Sequence, residues 1–413
     1  MKRLLLAAVA VALFAVPGVS NAQQKYKFAL VPKAMNNPFF DLARDGCMEA
    51  MKELPNVECV YIGPAEHTES EQVQIVQDLI SKGIDGIAVS SSNAAAMAVA
   101  LKAAKDANIP VVTWDSDLLP QDAAERAAFI GTHNYDIGVN LAKIAQSMKP
   151  KGGKICLQTG GASAANHNER LQGIRDTLGG RTGTQPPGDP LKGENGWTEV
   201  DGCPLITNDD SATAVQQLQD ILGKYGDLDV YITTGAFTQW SDNAFRQAMQ
   251  PYTDKLKSGQ LVFVSADTLS MQMQQLKDGL SDGQVGQRPF EMGKLAMYRL
   301  LDLKSGKTIK DPEYTGLDVC TKANADNCLG KSPISSACSK GTDLWSVPFS
   351  SAPGNALIFG RPGASLASWS ESSRLPAQHF PRDFGTAGID PAAPVSRIDA
   401  DPEAAPPRRL SCF

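Results

Sequence analysis

The sequence predicts an α/β protein made of two successive blocks, each built on a mainly parallel sheet. Three observations carry that reading. Short apolar runs alternate with longer helix-like runs from residue 27 to about residue 304, the pattern of βαβ units. Several of the apolar runs end in polar or aromatic clusters, which a parallel sheet gathers along one edge, and open α/β folds bind their ligands at that edge. The alternation then begins again near residue 135, so each block has the size of a single domain.

The elements follow in order. Lys27–Val31 reads as a strand, and Asn36-Asn37-Pro38-Phe39-Phe40 follows it. Asp41–Leu54 is a helix with apolar positions at helical spacing. Two amides beside two phenylalanines suit a ligand with apolar ring faces and a polar rim, as a sugar has. Val57–Ile62 is a second strand and Ser70–Lys82 a helix. Gly86–Val89 is a third strand, ending in Ser90-Ser91-Ser92-Asn93, and Ala94–Ala107 an alanine-rich helix. Ile109–Trp114 is a fourth strand, ending in Asp115-Ser116-Asp117. Asn37, Ser90 and Asp115 therefore fall along one sheet edge.

The second block opens with a helix over Tyr135–Met148 and a strand over Gly153–Gln158 that ends in Thr159-Gly160-Gly161. Asn166–Leu178 is a helix carrying Asn168 and Arg170, and residues 180–196 form a loop rich in Gly and Pro. Trp197–Ile206 is strand-like and Ser211–Tyr225 a helix. Val230–Thr234 is a strand ending in Gly235-Ala236-Phe237, and Gln239–Gln250 a helix. Leu261–Ser265 is a strand ending in Ala266-Asp267, and Met271–Gly279 a helix. A short strand, Gly283–Gly286, ends at Gln287; Pro289–Lys304 is a helix and Thr315–Val319 a final strand.

The flanks differ from this core. Lys2-Arg3, the apolar run Leu4–Val16 and Ser20-Asn21-Ala22 have the form of a secretory signal peptide spanning residues 1–22 and removed on export. No cysteine stands just after that cut, so no lipid anchor is expected there. Residues 339–413 are rich in Pro, Ser, Ala and Arg without a sustained period. They read either as a disordered extension or as a tail not native to the domain, which leaves residues 25 to about 332 as the folded part.

Composition narrows the function. Among 413 residues, 42% are hydrophobic and 20% charged, with a net charge of −6, so nothing basic argues for nucleic acid as a partner. Eight cysteines in an exported chain can form disulfides. Cys47 with Cys59 and Cys320 with Cys328 are possible pairs, although spacing does not fix connectivity. The cysteines lack a C-x₂-C motif and the four histidines stand singly, which gives no metal site. No phosphate-loop, dinucleotide or nucleophile-elbow motif appears, so no cofactor is expected. Asp115 and Asp267 as a glycosidase pair have no further motif beside them, and an enzyme is not expected.

Taken together, these motifs resemble a known family. Asn36-Asn37-Pro38-Phe39-Phe40, Ile109-Pro110-Val111-Val112-Thr113-Trp114-Asp115, Asn168-Glu169-Arg170-Leu171-Gln172-Gly173, Ser265-Ala266-Asp267 and Gln287 stand in the order and spacing of the periplasmic sugar-binding proteins of ABC importers. The chain is similar to the ribose-binding-protein-like, type I periplasmic binding group over residues 25 to about 330. The resemblance implies two Rossmann-like lobes with parallel sheets, joined by a three-strand hinge near Gly131–Asn134, Ser265–Gln287 and Gly316. Residues 25–132 with 288–317 would form the N-terminal lobe, and 133–287 with 318–332 the C-terminal lobe.

It also implies roles. Asn37 would bond a hydroxyl, and Phe39 and Phe40 would stack on the ring. Ser90 would be a polar strand-end contact, and Asp115 and Asp267 would accept hydroxyl hydrogen bonds. Asn168, with Asn166 as a further candidate, would reach in from the second lobe, and Gln287 would cross the hinge. Helix N-capping is the other reading of Asp115 and Asp267. Arg170 reads as an ion-pair residue, and Trp114 as core. The departures bear on the ligand. Ser116 stands where ribose-type relatives usually carry arginine, Gly235 where asparagine is frequent, and Asn168 where arginine is frequent. Gly235 would enlarge the cleft while Phe237 and Trp240 add aromatic surface. The expected ligand is therefore a sugar or polyol whose identity the sequence does not fix, ribose being one of several candidates. The expected partner is an ABC transporter permease, and the expected state a periplasmic monomer. A ligand carrier for a chemoreceptor or sensor kinase, or a binder of a non-sugar molecule such as a quorum signal, are the alternatives.

Overall fold

The computed structural model describes residues 24–329. The signal peptide expected at 1–22 and the tail from residue 339 lie outside the described residues. The first sheet is formed by β1 (Tyr26–Val31), β2 (Val57–Tyr61), β3 (Gly86–Val89), β4 (Val111–Trp114) and β5 (Ala128–Gly131), which alternate with α1 (Pro38–Glu53), α2 (Glu69–Ser81) and α3 (Ala94–Asp106). The chain then passes to the second sheet through α4 (Asn134–Met148), β6 (Gly153–Thr159), α5 (Ala165–Gly179), β7 (Trp197–Glu199), β8 (Leu205–Ile206), α6 (Ser211–Lys224) and β9 (Val230–Thr233). It continues with α7 (Asp242–Met249), α8 (Thr253–Lys257), β10 (Val262–Ala266), α9 (Ser270–Lys277) and β11 (Gly283–Gly286). It returns to the first lobe for α10 (Pro289–Lys304) and β12 (Glu313–Tyr314), and ends in the second with β13 (Asp318–Thr321).

The strand orders are β12-β5-β4-β3-β1-β2 and β13-β11-β10-β9-β6-β7, with β8 also on β6. Every pairing is parallel except β11 with β13. The single strand expected over 197–206 is two short strands separated by a turn that holds Cys203-Pro204. The chain crosses between the lobes three times, after β5, after β11 and between β12 and β13, and Thr132 Oγ1 donates to Gly316 O at 3.0 Å where two of the crossings run together. This is the two-lobed α/β architecture with a three-strand hinge.

Local chemistry sets the helix starts that face the sheet edge. Asn37 caps α1, its Oδ1 accepting from Phe39 N at 2.9 Å with Pro38 at the first helical position. Asn93 accepts from Ala96 N at 2.9 Å to cap α3, and Asp210 from Thr213 N at 2.7 Å to cap α6.

Each lobe also has a helix pair whose backbones touch. A Cβ at Gly46 would lie 1.9 Å from Phe290 O, and one at Gly293 1.9 Å from Ala43 O, so glycine lets α1 and α10 meet. Gly138 and Gly173 do the same for α4 and α5, at 2.1 Å from Arg170 O and 2.2 Å from Tyr135 O. The buried cores are separate: Phe28, Leu30, Trp114 and Met297 are among the residues of one cluster in the first lobe, and Ile155, Leu157, Val262 and Val264 of one in the second. Disulfides join Cys47 to Cys59, Cys156 to Cys203 and Cys320 to Cys328. The first and third are the pairs the spacing allowed; the second links a central strand to a loop 47 residues away.

Candidate functional site

The strand ends of the two sheets face each other across a nearly closed cavity of about 20 Å³. The first-lobe wall begins where β1 ends. Lys33 is 1% exposed, and its Nζ donates to Asn166 Oδ1 of the second lobe at 2.9 Å and lies 3.7 Å from Asp115 Oδ2. Burial lowers the Lys33 pKa, against the pull of Asp115 and Asp209. Asn37 spends its Oδ1 on the helix cap, which leaves its amide NH₂ for the cavity. Phe39 and Phe40 pack edge to face, centroids 5.4 Å apart and planes at 83°, and Phe40 meets Trp114 at 5.5 Å and 84°.

Asp115 follows β4 at φ 57°. Ser90 Oγ donates to its Oδ2 at 2.7 Å, Asn166 Nδ2 lies 3.4 and 3.5 Å from its two oxygens, and Arg170 Nη2 is 3.7 Å from Oδ1. Ser90 thus stands behind Asp115.

The second-lobe wall rests on α5. Arg170 is buried and uses its donors within the protein. Its Nε and Nη2 donate to Asn134 Oδ1 at 2.9 and 2.8 Å, Nη1 to Thr234 O at 2.8 Å, and Nη2 also to Gln287 Oε1 at 2.9 Å. Phe237 and Trp240 form a second perpendicular pair, at 5.3 Å and 84°. Trp240 packs against the first-lobe core. Together with the Ala94 N to Ser163 O hydrogen bond of 3.1 Å, this contact joins the lobes over the cavity. Asp267 follows β10 at φ 69°; its Oδ1 accepts from Gln287 Nε2 at 2.8 Å and its Oδ2 from Ala236 N at 3.2 Å. Burial pushes the Asp267 carboxyl above its ordinary pKa, against the pull of Arg170 and Gln287.

A third carboxylate completes the wall. Asp209 lies 3.4 Å from His167 Nε2 on one oxygen and 3.4 Å from Nδ1 of His67, a first-lobe residue, on the other. Burial alone would raise its pKa, but His167 and His67 outweigh that and hold it well below the usual carboxylate range. Burial, helped by the charge of Lys33, pushes His167 down to about 4, and its Nδ1 shares a 3.0 Å hydrogen bond with Thr234 Oγ1.

Of the residues expected at the site, Asn37, Phe39, Phe40, Asp115, Gly235, Phe237, Asp267 and Gln287 line the cavity. Asn168 does not: its Nδ2 donates to Ala162 O at 2.9 Å, and Asn166 occupies the wall instead. The space expected from Gly235 is filled, since a Cβ there would lie 2.5 Å from the Phe237 ring. Neither Asp115 nor Asp267 caps a helix. With ring planes at 83°, Phe39 and Phe40 cannot both lie flat on one ligand ring. Arg170 is the ion-pair residue expected and also part of the wall. Trp114 is core, fully buried. Lys33, His167 and Asp209 line the cavity unanticipated.

Residues 28–308 match the family model of the periplasmic binding protein domain. The D-ribose/D-allose-binding protein of Pseudomonas aeruginosa is 29% identical over 164 residues, 38% of this chain and 50% of that protein, so the chain spans about half the length of that relative. The D-allose-binding periplasmic protein of Escherichia coli is 23% identical over 305 residues, 71% of this chain and 90% of its own. Among solved structures, an ABC transporter solute-binding protein from Burkholderia graminis in complex with D-arabinose is 29% identical, with a TM-score of 0.62 over 74% of this chain and 98% of its own.

Proposed function

The chain belongs to the periplasmic binding protein domain family, and from that premise we propose that it captures a sugar or polyol between its lobes and delivers it to the permease of an ABC transporter. The observation that carries this reading is the lining of the cavity. Perpendicular aromatic pairs from both lobes, Phe39 with Phe40 and Phe237 with Trp240, enclose it with the carboxylates Asp115 and Asp267 and the amides Asn37, Asn166 and Gln287. Aromatic faces cover the C–H faces of a sugar ring, and ionised acceptors make the stronger hydrogen bonds to its hydroxyls. At about 20 Å³ the cavity is nearly shut, so a sugar ring enters only as the lobes part about the hinge.

In this reading the lobes, 25–132 with 288–317 and 133–287 with 318–332, close about the hinge when the ligand enters. The permease then reads the closed surface. Residues 1–22 serve as a cleaved signal that delivers the chain to the periplasm. The cleft captures its ligand without turning it over.

Thermal unfolding of the full chain against pentoses, hexoses, deoxysugars and polyols tests the proposal. A ligand at 100 times its dissociation constant should add about 2.7 kcal/mol, and Asp115→Ala and Asp267→Ala should abolish the shift. A cooperative melt that no sugar or polyol moves would overturn it.

A further inference from the structure

The cleft carboxylates differ in their partners. Asp115 has Lys33 and Arg170 each at 3.7 Å. Asp209 has His67 and His167 each at 3.4 Å. Asp267 is only 4% exposed, yet among the described residues its hydrogen bonds come from neutral groups alone, Gln287 Nε2 and Ala236 N. Among the described residues no cationic side chain lies within ion-pair reach of it; Arg170 acts on it only from farther off. The two cations of the cleft are meanwhile committed to protein acceptors. Arg170 serves Asn134, Thr234 and Gln287, and Lys33 serves Asn166 and Asp115.

The spare capacity of the cleft is therefore that of an acceptor with a buried negative charge. A buried charge without a counter-charge is costly, and a ligand that brings a cation removes that cost. The aromatic faces of Phe39, Phe237 and Trp240 line the same cavity, and such faces attract a cation. A ligand carrying a carboxylate or phosphate would meet Asp267 with no free cation to offset it.

We propose that the ligand is an aminated member of the sugar or polyol class, a single-ring amino sugar or amino polyol whose protonated amine pairs with Asp267. This rests on the sugar-binding reading above and narrows it.

Isothermal titration of the full chain at pH 7 separates the two. The panel is glucosamine, galactosamine and mannosamine, their neutral parent hexoses, their N-acetyl forms, and the corresponding uronic acids. At least one amine is expected to bind tenfold or more tighter than its neutral parent and its N-acetyl form, with no binding of uronic acids. Asp267→Asn should cut that preference below about threefold. Asparagine tolerates the positive φ at this position, so the variant should retain the fold. In the unaltered protein the preference should vanish as pH is raised through the titration of the ligand's own amine. A neutral hexose that binds as tightly as its amine, or an amine preference that persists in Asp267→Asn or at high pH, would overturn the inference and leave the sugar-binding reading standing. Silence across this panel would overturn the inference, and silence extending to the pentoses, deoxysugars and polyols of the thermal screen would overturn both.

Discussion

Asp115 closes β4 of the first lobe and Asp267 closes β10 of the second, third from the same end in the two strand orders, and both sit at positive φ, 57° and 69°. Each lobe brings one perpendicular aromatic pair to the cleft, with centroids 5.4 and 5.3 Å apart, and each holds one helix pair together through reciprocal glycines. The backbones have solved the same problem twice, but the surroundings of the two aspartates differ. Asp115 sits among Lys33, Ser90, Asn166 and Arg170, two of them from the opposite lobe. Among the described residues Asp267 receives only neutral donors. One aspartate is thus tied to cations and amides of both lobes, and the other to neutral groups of its own lobe. Position in the fold sets where a side chain points; the neighbours that tertiary packing supplies decide what it does.

The comparison can be broken most strongly at Arg170, which joins the second-lobe wall, the hinge residue Asn134 and Asp115. Arg170→Met should cost about 3–5 kcal/mol, the usual loss when one partner of a buried charge network is removed. Urea denaturation measures it, and a loss below about 1 kcal/mol would show that Asp115 does not depend on the guanidinium.

The disulfides give a lobe-by-lobe contrast. By loop closure, removing Cys156–Cys203, which spans 47 residues, should cost about 4 kcal/mol. Removing Cys47–Cys59, which spans 12, should cost about 3 kcal/mol. Paired alanine variants in the same assay should keep that order.

Acid should act through the second lobe. The folded pKa of His167 is depressed to about 4 from an unfolded value of about 6.5. Its contribution is therefore present above pH 6.5 and lost as pH falls from 6.5 towards 4, by about 3 kcal/mol at most. Melting curves across that window should slope downward with acid, and His167→Gln should flatten them. Asp209, held well below the carboxylate range, loses its contribution only at still lower pH.

The smallest effects are expected at the helix contacts. Gly46→Ala in the first lobe and Gly138→Ala in the second should each cost about 1–3 kcal/mol by overpacking. If one were silent, the helices of that lobe would have room to slide and the likeness of the two lobes would end there.

Much of this was legible in the sequence. Strand ends that collect Asn37, Asp115, Gly235 and Asp267 follow from alternation alone, because a parallel sheet brings such ends to one edge. Helix geometry separates Asn166 from Asn168: Asn166 and Arg170 are four apart and share a helix face, whereas a residue two from Arg170 is turned about 200° away. Lys33 was not legible, since a lone lysine after a strand is ordinarily solvated and only the opposite lobe buries it. The meeting of His67 and Asp209 had no local signal either. They stand 142 residues apart on different lobes, and neither carries a neighbour pattern that marks it.

The placement of Trp240 makes the cleft its own optical gauge. This indole leans from the second lobe onto the first-lobe core and lines the cavity, whereas Trp114 and Trp197 are sealed within their own lobes at 0% and 1% exposure. Opening would wet the Trp240 ring alone among these three, so its emission should move to longer wavelength while the other two hold a steady background. Trp345 and Trp369 lie outside the described residues and emit as well, so a chain with those two replaced by phenylalanine carries a reporter of interlobe angle, readable at the bench with no attached dye.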